Sequence, residues 1–356
     1  MFEQRLAALR RSLAQSNLDA LLVTYLPHVR YLTGFSGSNG HCFVGKRTEY
    51  LLTDNRYRDQ VKEEVHGIRV VITKKSLSEA AAGLPVFSGS MRLGIESQYL
   101  SVAGLATLKK RLHRVTFVKT QSLVERVAAI KDKSEIDSIR RAVDISERVF
   151  RRIVEFVRPG MTELDVAAEI GYLHRKLGAE ADAFEPIVAS GRRGALPHAR
   201  ASSKKIRSGE LVTLDFGCRV KGYNSDLTRT VAVGRPLARA RKIYQVVQDA
   251  QRIAIEAARS GMAAKALDGV ARSYIRKKGF GRYFSHSLGH GLGLQVHEAP
   301  RISSLSKDVL LDGNVVTIEP GIYIPEFGGI RIEDDIVVRN THPEVLSRSP
   351  RELLIL

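Results

Sequence analysis

Cysteine is scarce in this chain. Its 356 residues include only Cys42 and Cys218, far apart and neither in a C-x-x-C pair, which argues against a disulfide framework or a zinc ribbon and fits a reducing cytoplasm. Long apolar runs are also missing, so no segment reaches membrane-spanning length and no membrane partner is expected. Glu3 and Arg5 interrupt the N-terminal stretch MFEQRLAALRRSLAQ where a signal peptide needs an unbroken apolar core, so the mature chain is expected to begin at Met1. The absence of Gly-x-x-x-x-Gly-Lys-Ser/Thr removes the best-defined nucleotide-binding motif. There is no internal repeat and no low-complexity segment.

With 44% hydrophobic residues the chain can bury a large core, and its length favours two domains over one. Lys and Arg outnumber Asp and Glu by 56 to 38, a formal charge of +18. That charge attracts anions in general, but it is spread from end to end in pairs such as Arg10-Arg11, Arg140-Arg141 and Lys277-Lys278. Without a basic tail or an aromatic-interleaved strip it reads as a solvated surface, and no specific nucleic-acid partner is expected.

Apolar positions at helical spacing over residues 2–15 precede a buried-strand run at 20–25. Strand-like runs at 42–45, 49–53, 68–73, 92–95 and 115–119 alternate with helical stretches near 55–65 and 101–112. This alternation predicts a small α/β domain over 1–122, leaving 123–356 for a second domain. The second opens on a long amphipathic helix, for which Ser134 and Asp137 form a plausible capping box, and a further helix capped by Thr162 ends near Gly178. Strands and turns follow, broken by a helical pair at about 238–277.

The stretch LVTLDFGCRVKGYNSDLTRTVAV reads as a β-hairpin centred on KGYN, with Asp215 in its first strand and Asp226 in its second. Val212, Leu214 and Phe216 share one face of the first strand, which leaves Asp215 on the other. An acid inside an apolar strand costs several kcal/mol if buried without compensation, so it is paired, bound to metal or placed at a cleft. Glu319 at the end of NVVTIEPG repeats the anomaly, as does Glu333 in GGIRIEDDIVV, where Arg331, Glu333 and Asp335 are expected on one strand face. Together with His290 in LGHGLGLQVHEAPR, these four acids can hold two divalent cations about 3.5–4 Å apart, with a bridging hydroxide as nucleophile at neutral pH. Oxygen-rich ligation with one imidazole suits Mn²⁺, Co²⁺, Fe²⁺ or Zn²⁺. The mononuclear zinc motif H-E-x-x-H fails, because Arg301 stands where the second histidine is required.

The pieces LPHAR, LDFGCRVKGYNSDLTRT, SLGHGLGLQVHEAPR, TIEPGIYI and GGIRIEDDIVV, in that order, resemble the pita-bread metallopeptidases, specifically the Xaa-Pro peptidases: aminopeptidase P and prolidase. PHVRYLTGFSGSNG is similar to their creatinase-like N-terminal domain. The resemblance implies a small creatinase-like α/β domain followed by a C-terminal pita-bread domain of α+β type. It implies Asp215, Asp226, His290, Glu319 and Glu333 as ligands of two divalent metal ions, with Mn²⁺ favoured and Co²⁺ or Zn²⁺ possible. Asp226 and Glu333 match the bridging positions; Asp215 would bind one ion, His290 and Glu319 the other. Glu319 also matches a general base, His198 and His297 match substrate-contacting donors that stabilise a tetrahedral intermediate, and Arg331 matches a residue that orients the surroundings of Glu333.

The implied substrate is a small peptide with proline in second place, and the implied assembly a homodimer. Recognition of a dipeptide's C-terminal carboxylate calls for a bidentate arginine, and Arg301 in HEAPR matches a position where prolidases carry one. His286 is expected to be structural, Tyr323 to be a buried strand tyrosine or a partner of a ligand carboxylate, and Gly289, Gly291 and Gly293 to allow close backbone approach or positive φ. Methionine aminopeptidase is the nearest rival enzyme, and a non-catalytic binding protein on the same fold the rival of another class.

Overall fold

The computed structural model describes residues 2–87 and 89–356 and divides into two compact units, Met1–Ala128 and Ala129–Leu356. Helix Leu123–Ala128, which falls after the division expected at residue 122, is part of the first unit, lies against helix Phe2–Gln15 and buries Leu123 and Val124. Among the described residues no helix is long and apolar enough to cross a membrane.

The first unit is a six-stranded mixed sheet in the order Arg69–Thr73, Glu49–Asp54, Gly40–Gly45, Ala20–Val23, Met91–Glu96, Val115–Thr120. All five strand-like runs and the run at 20–25 become strands of this sheet. Ala20–Val23 is antiparallel to Gly40–Gly45 and parallel to Met91–Glu96. It is buried on both sides, which is why it reads as an unbroken apolar run.

The second unit repeats one theme twice: a helix pair laid over a β-sheet. Helices Lys133–Phe156 and Glu163–Lys176 bury Val149, Ile153 and Ile170 against Val188, Leu214 and Phe216 of the sheet formed by Ile187–Ser190, Leu211–Phe216 and Leu227–Ala232. Helices Ala238–Ala257 and Ala264–Lys277 bury Val247, Ala254 and Leu267 against strands Val315–Ile318, Gly321–Ile324, Gly328–Arg331 and Asp334–Val337. The first helix is capped two residues earlier than expected. Asp132 accepts from the backbone of Glu135 and the Glu135 side chain returns to the Asp132 N–H, so the capping box is Asp132/Glu135, not Ser134/Asp137. The Thr162 cap forms as expected, with Asp165 completing its box.

Arg331, Glu333 and Asp335 do not share one strand. Arg331 ends a strand of a two-stranded sheet and Asp334 begins one of a five-stranded sheet, leaving Ile332 and Glu333 at the crossing between them. That crossing is fastened by the fully buried Arg229, which donates to the carbonyls of Thr228 and Glu333, to those of Ser349 and Pro350, and to Asp334 Oδ1 at 2.7 Å. Asp334 Oδ2 accepts in turn from Gln251 and Arg351. Removing one partner of a buried ion pair strands the other charge, a loss of about 3–5 kcal/mol. Asp334→Ala is therefore expected to lower unfolding free energy by about that amount in guanidinium titration; a loss below about 1 kcal/mol would show that Arg229 needs no counter-charge.

Candidate metal centre

Two ribbons bring the acids together. In the first, strand Leu211–Phe216 pairs antiparallel with Leu227–Ala232, and Val212, Leu214 and Phe216 enter the core while Asp215, opposite Thr228, points to the other side. Asp226 precedes the second strand by one residue instead of lying within it, and its backbone N–H donates to Asp335 Oδ2 at 3.0 Å. In the second, His290 sits in Gly289–Gly291, between strands Glu298–Ile302 and Val315–Ile318. A Cβ on Gly289 would lie 2.0 Å from the Thr317 carbonyl oxygen and one on Gly291 2.2 Å from that of Ala299, so close approach, not positive φ, requires these glycines.

The imidazole of His290 is set by its backbone. Nδ1 lies 3.1 Å from the Gly291 carbonyl oxygen, which can only accept, so Nδ1 carries the proton and the Nε2 lone pair faces the acids. Nε2 is 3.5 Å from Glu319 Oε1 and 3.8 Å from Asp226 Oδ2. Burial first, and then His297, lowers the His290 pKa to about 4, leaving the ring neutral and competent as a ligand at pH 7. Donor atoms of Asp226, His290 and Glu333 all lie within 4.8 Å of one another.

The carboxylates crowd each other. Burial, reinforced by the neighbouring acids, raises the proton affinity of Asp226 and Glu319 well above the carboxylate range, and takes Glu333 up to about 8 through burial and then Asp215. The buried Oδ1 atoms of Asp215 and Asp226 have no hydrogen-bond partner among the described residues. Arg331 is the buried counter-charge. It donates to Asp215 Oδ2, to Thr228 Oγ1 at 3.1 Å, to Tyr323 Oη at 2.7 Å and to the Pro197 carbonyl at 3.2 Å. Its link to Glu333 is thus indirect, through the Thr228 hydroxyl that donates to Glu333 Oε2. One guanidinium against four acids leaves carboxyl groups without a counter-charge and, among the described residues, partnerless oxygens, a donor set of hard oxygens plus one imidazole that fits divalent cations.

Asp215, Asp226, His290, Glu319 and Glu333 line one cavity of about 900 Å³ together with His198, His297, Arg301 and Arg331. The His297 ring centroid is 4.3 Å from that of His290, and burial, then the proximity of His198, lowers the His297 pKa. The cavity also holds residues that sequence reasoning set aside. His286, expected to be structural, lines it with Nε2 2.8 Å from Tyr323 Oη. Tyr323 binds Arg331 and His286 rather than a ligand carboxylate. Glu298, next to His297, forms a buried ion pair with Lys131, and Phe184 and Ile187 supply an apolar wall. The one signal for His286 is its place four residues before His290; nothing local marks Lys131.

The description of metallopeptidase family M24 matches residues 137–340, and that of the creatinase/prolidase N-terminal domain matches residues 5–130. The chain belongs to metallopeptidase family M24, with the creatinase-like domain and pita-bread domain that its sequence resembles. An uncharacterized peptidase of Bacillus subtilis (strain 168) is 43% identical over 352 residues, covering 99% of this chain and 100% of that protein. Among solved structures, an Xaa-Pro dipeptidase from Bacillus anthracis matches with a TM-score of 0.96 at 39% identity, covering 100% of both chains. An X-Pro aminopeptidase from Thermotoga maritima MSB8 matches with a TM-score of 0.91 at 36% identity, covering 97% of this chain and 100% of that one. The family is one of divalent-metal enzymes, and the acidic cluster is where this chain can hold the metal.

The raised acids make stability depend on pH. A carboxyl group whose proton affinity is higher folded than unfolded contributes stability below its unfolded pKa, and that stability is lost as pH rises through the folded value. The lowered values of His286 and His290 act in the opposite sense, but only below the ordinary histidine value of 6.5. Chelated protein should therefore lose stability from pH 6.5 to about 8, the folded value of Glu333, and saturating Mn²⁺ should abolish that slope. Denaturant titrations in EDTA and in Mn²⁺ measure it; equal slopes in both would contradict a cation-binding cluster.

Proposed function

We propose that this chain is a dinuclear-metal exopeptidase that releases an N-terminal residue preceding proline, from Xaa-Pro dipeptides, longer Xaa-Pro peptides or both. The observation that carries this reading is the convergence of three buried acids, the half-buried Glu319 and a neutral imidazole on a cavity shared with His198, His297 and Arg301. Asp226 and Glu333 would bridge two ions, Asp215 completing one and His290 with Glu319 the other. Two bound cations, Mn²⁺ foremost with Co²⁺ or Zn²⁺ as alternatives, supply charge neutralisation and a water-derived nucleophile at neutral pH.

The chain's own residues do the rest. Glu319, whose proton affinity is raised by burial and then by Glu333, would be the group that takes up a proton, at a carboxylate oxygen lining the cavity. His198 and His297 stand on the cavity wall as donors to the oxyanion that develops on the scissile carbonyl. Arg331 acts through others, holding Asp215, Thr228 and the Pro197 carbonyl in place. Phe184 and Ile187 offer an apolar surface for a pyrrolidine ring, and Arg301, exposed in the cavity, is placed to meet a substrate carboxylate.

A cytoplasmic homodimer is the assembly proposed, by likeness to Xaa-Pro peptidases; the two buried free thiols accord with a reducing compartment. The N-terminal domain match at 5–130 speaks against methionine aminopeptidase, and the complete ligand set against a non-catalytic relative. Chelated protein restored with Mn²⁺ should cleave Ala-Pro, Ala-Pro-Ala or both, but not Met-Ala-Ser or Ala-Ala. Arg301→Ala should reduce kcat/KM on Ala-Pro about tenfold more than on Ala-Pro-Ala. Cleavage of Met-Ala-Ser would favour the methionine enzyme, and equal losses on the two proline peptides would remove Arg301 as the carboxylate reader.

A further inference from the structure

His198 is exposed, and its ring makes no hydrogen bond within the described residues, so its position depends on the backbone of the loop that carries it. The loop runs from Ser190 to Ser202, and one carboxylate holds both ends. Glu163, fully buried at the first turn of helix Glu163–Lys176, accepts at Oε1 from the Ser190 N–H at 2.8 Å and the Ser190 hydroxyl at 2.9 Å. At Oε2 it accepts from the Ser202 N–H at 3.1 Å, the Ser202 hydroxyl at 2.7 Å and Arg193 Nε at 2.9 Å. Arg193 then reaches across the loop to the Arg200 carbonyl, two residues past His198.

Five donors on one carboxylate with no exposed surface are more than a helix terminus requires. Thr162 already caps this helix through Asp165, and Glu163 takes no part in that capping box. Its charge is spent on the loop instead. The middle of the loop has little freedom to adjust: Gly194 lies against the backbone of Gly329 so closely that a Cβ on Gly329 would sit 1.9 Å from the Gly194 carbonyl oxygen. The Pro197 carbonyl, immediately before His198, accepts from Arg331 at 3.2 Å. With both ends pinned by Glu163 and the centre pressed on Gly329, the His198 Cα has one place to be.

We propose that Glu163 is a positioning residue that sets His198 in the cavity, an inference that rests on the peptidase reading above for what His198 does there. Glu163→Gln keeps the shape but removes the charge that assists the bonds at both ends of the loop and sets an amide N–H₂ among the donors at one of them. In the metal-loaded enzyme it should lower kcat on Ala-Pro or Ala-Pro-Ala by about 10- to 100-fold with metal content unchanged. The same substitution placed on His198→Ala should cost less than about threefold more, because the group it positions is already gone. A loss that multiplies in full on the His198→Ala background, or a single variant within about twofold of the parent, would overturn the proposal.

A second readout needs no turnover. In metal-free protein, amide exchange at Ser190 and Ser202 should quicken at least about tenfold in Glu163→Gln, while strand Val315–Ile318 keeps its protection. Unchanged exchange at both serines would refute the pinning even if the enzyme proved inactive on proline peptides, whereas inactivity of the parent counts only against the peptidase reading. Should Glu163→Gln fail to fold, Ser202→Ala, which deletes one donor, enters the same cycle with His198→Ala and is held to the same non-additivity.

Discussion

Repulsion among buried carboxylates is the constraint around which the second unit is organised. Asp215 and Asp226 come from one hairpin and Glu319 and Glu333 from two further stretches, and Asp215, Asp226 and Glu333 are buried, with Glu319 half-buried, where a bare charge is costly. One buried guanidinium, that of Arg331, offsets part of this charge, and partnerless oxygens remain. A site that stays uncomfortable when empty is prepared for cations. The same crowding that raises proton affinity becomes affinity for divalent cations, which displace the protons on binding.

Holding such a site open requires a scaffold that does not relax to relieve the strain. The two helix-backed sheets provide it, one carrying Asp215, the other His290, with Asp226, Glu319 and Glu333 at strand ends and crossings. Position is enforced mainly through the backbone: glycines let neighbouring strands approach His290, and the Glu333 N–H donates to the Thr228 carbonyl between the two ribbons. Behind the site, Arg229 and Asp334 tie the Glu333 crossing to the C-terminal segment and to helix Ala238–Ala257. The acids thus face the cavity because their neighbours are fully committed elsewhere.

The acids stood out in the sequence because carboxylates within or at the ends of apolar strand-like runs need a reason that burial alone does not supply, and His290 stood out through the resemblance of its glycine-rich stretch to the family. The strands and helices were legible for the complementary reason, their periods being uninterrupted. What stayed hidden depends on long-range pairing. Glu163 and Asp165 look like equivalent first-turn acids; only the fold shows that one caps the helix while the other holds Ser190 and Ser202. Lys131 meets Glu298 across 167 positions. The break between Arg331 and Asp334 was invisible because both sides of it are strand-like, and the cap shifted to Asp132 because Asp132 and Glu135 satisfy the same pattern as Ser134 and Asp137 two residues earlier.

Among these residues Asp226 bears most directly on the central claim, since its donor atoms lie within 4.8 Å of those of both His290 and Glu333 and it is proposed to serve two ions at once. The measurement is the number of Mn²⁺ ions bound by chelated and reloaded protein, by calorimetry and metal analysis, for the parent and for Asp226→Asn, with Ala-Pro turnover recorded on the same samples. A bridging dinuclear centre gives two ions for the parent and fewer for the variant, with turnover reduced by about 10³-fold or more and the fold retained. A variant that binds two ions and turns over as the parent does would contradict it.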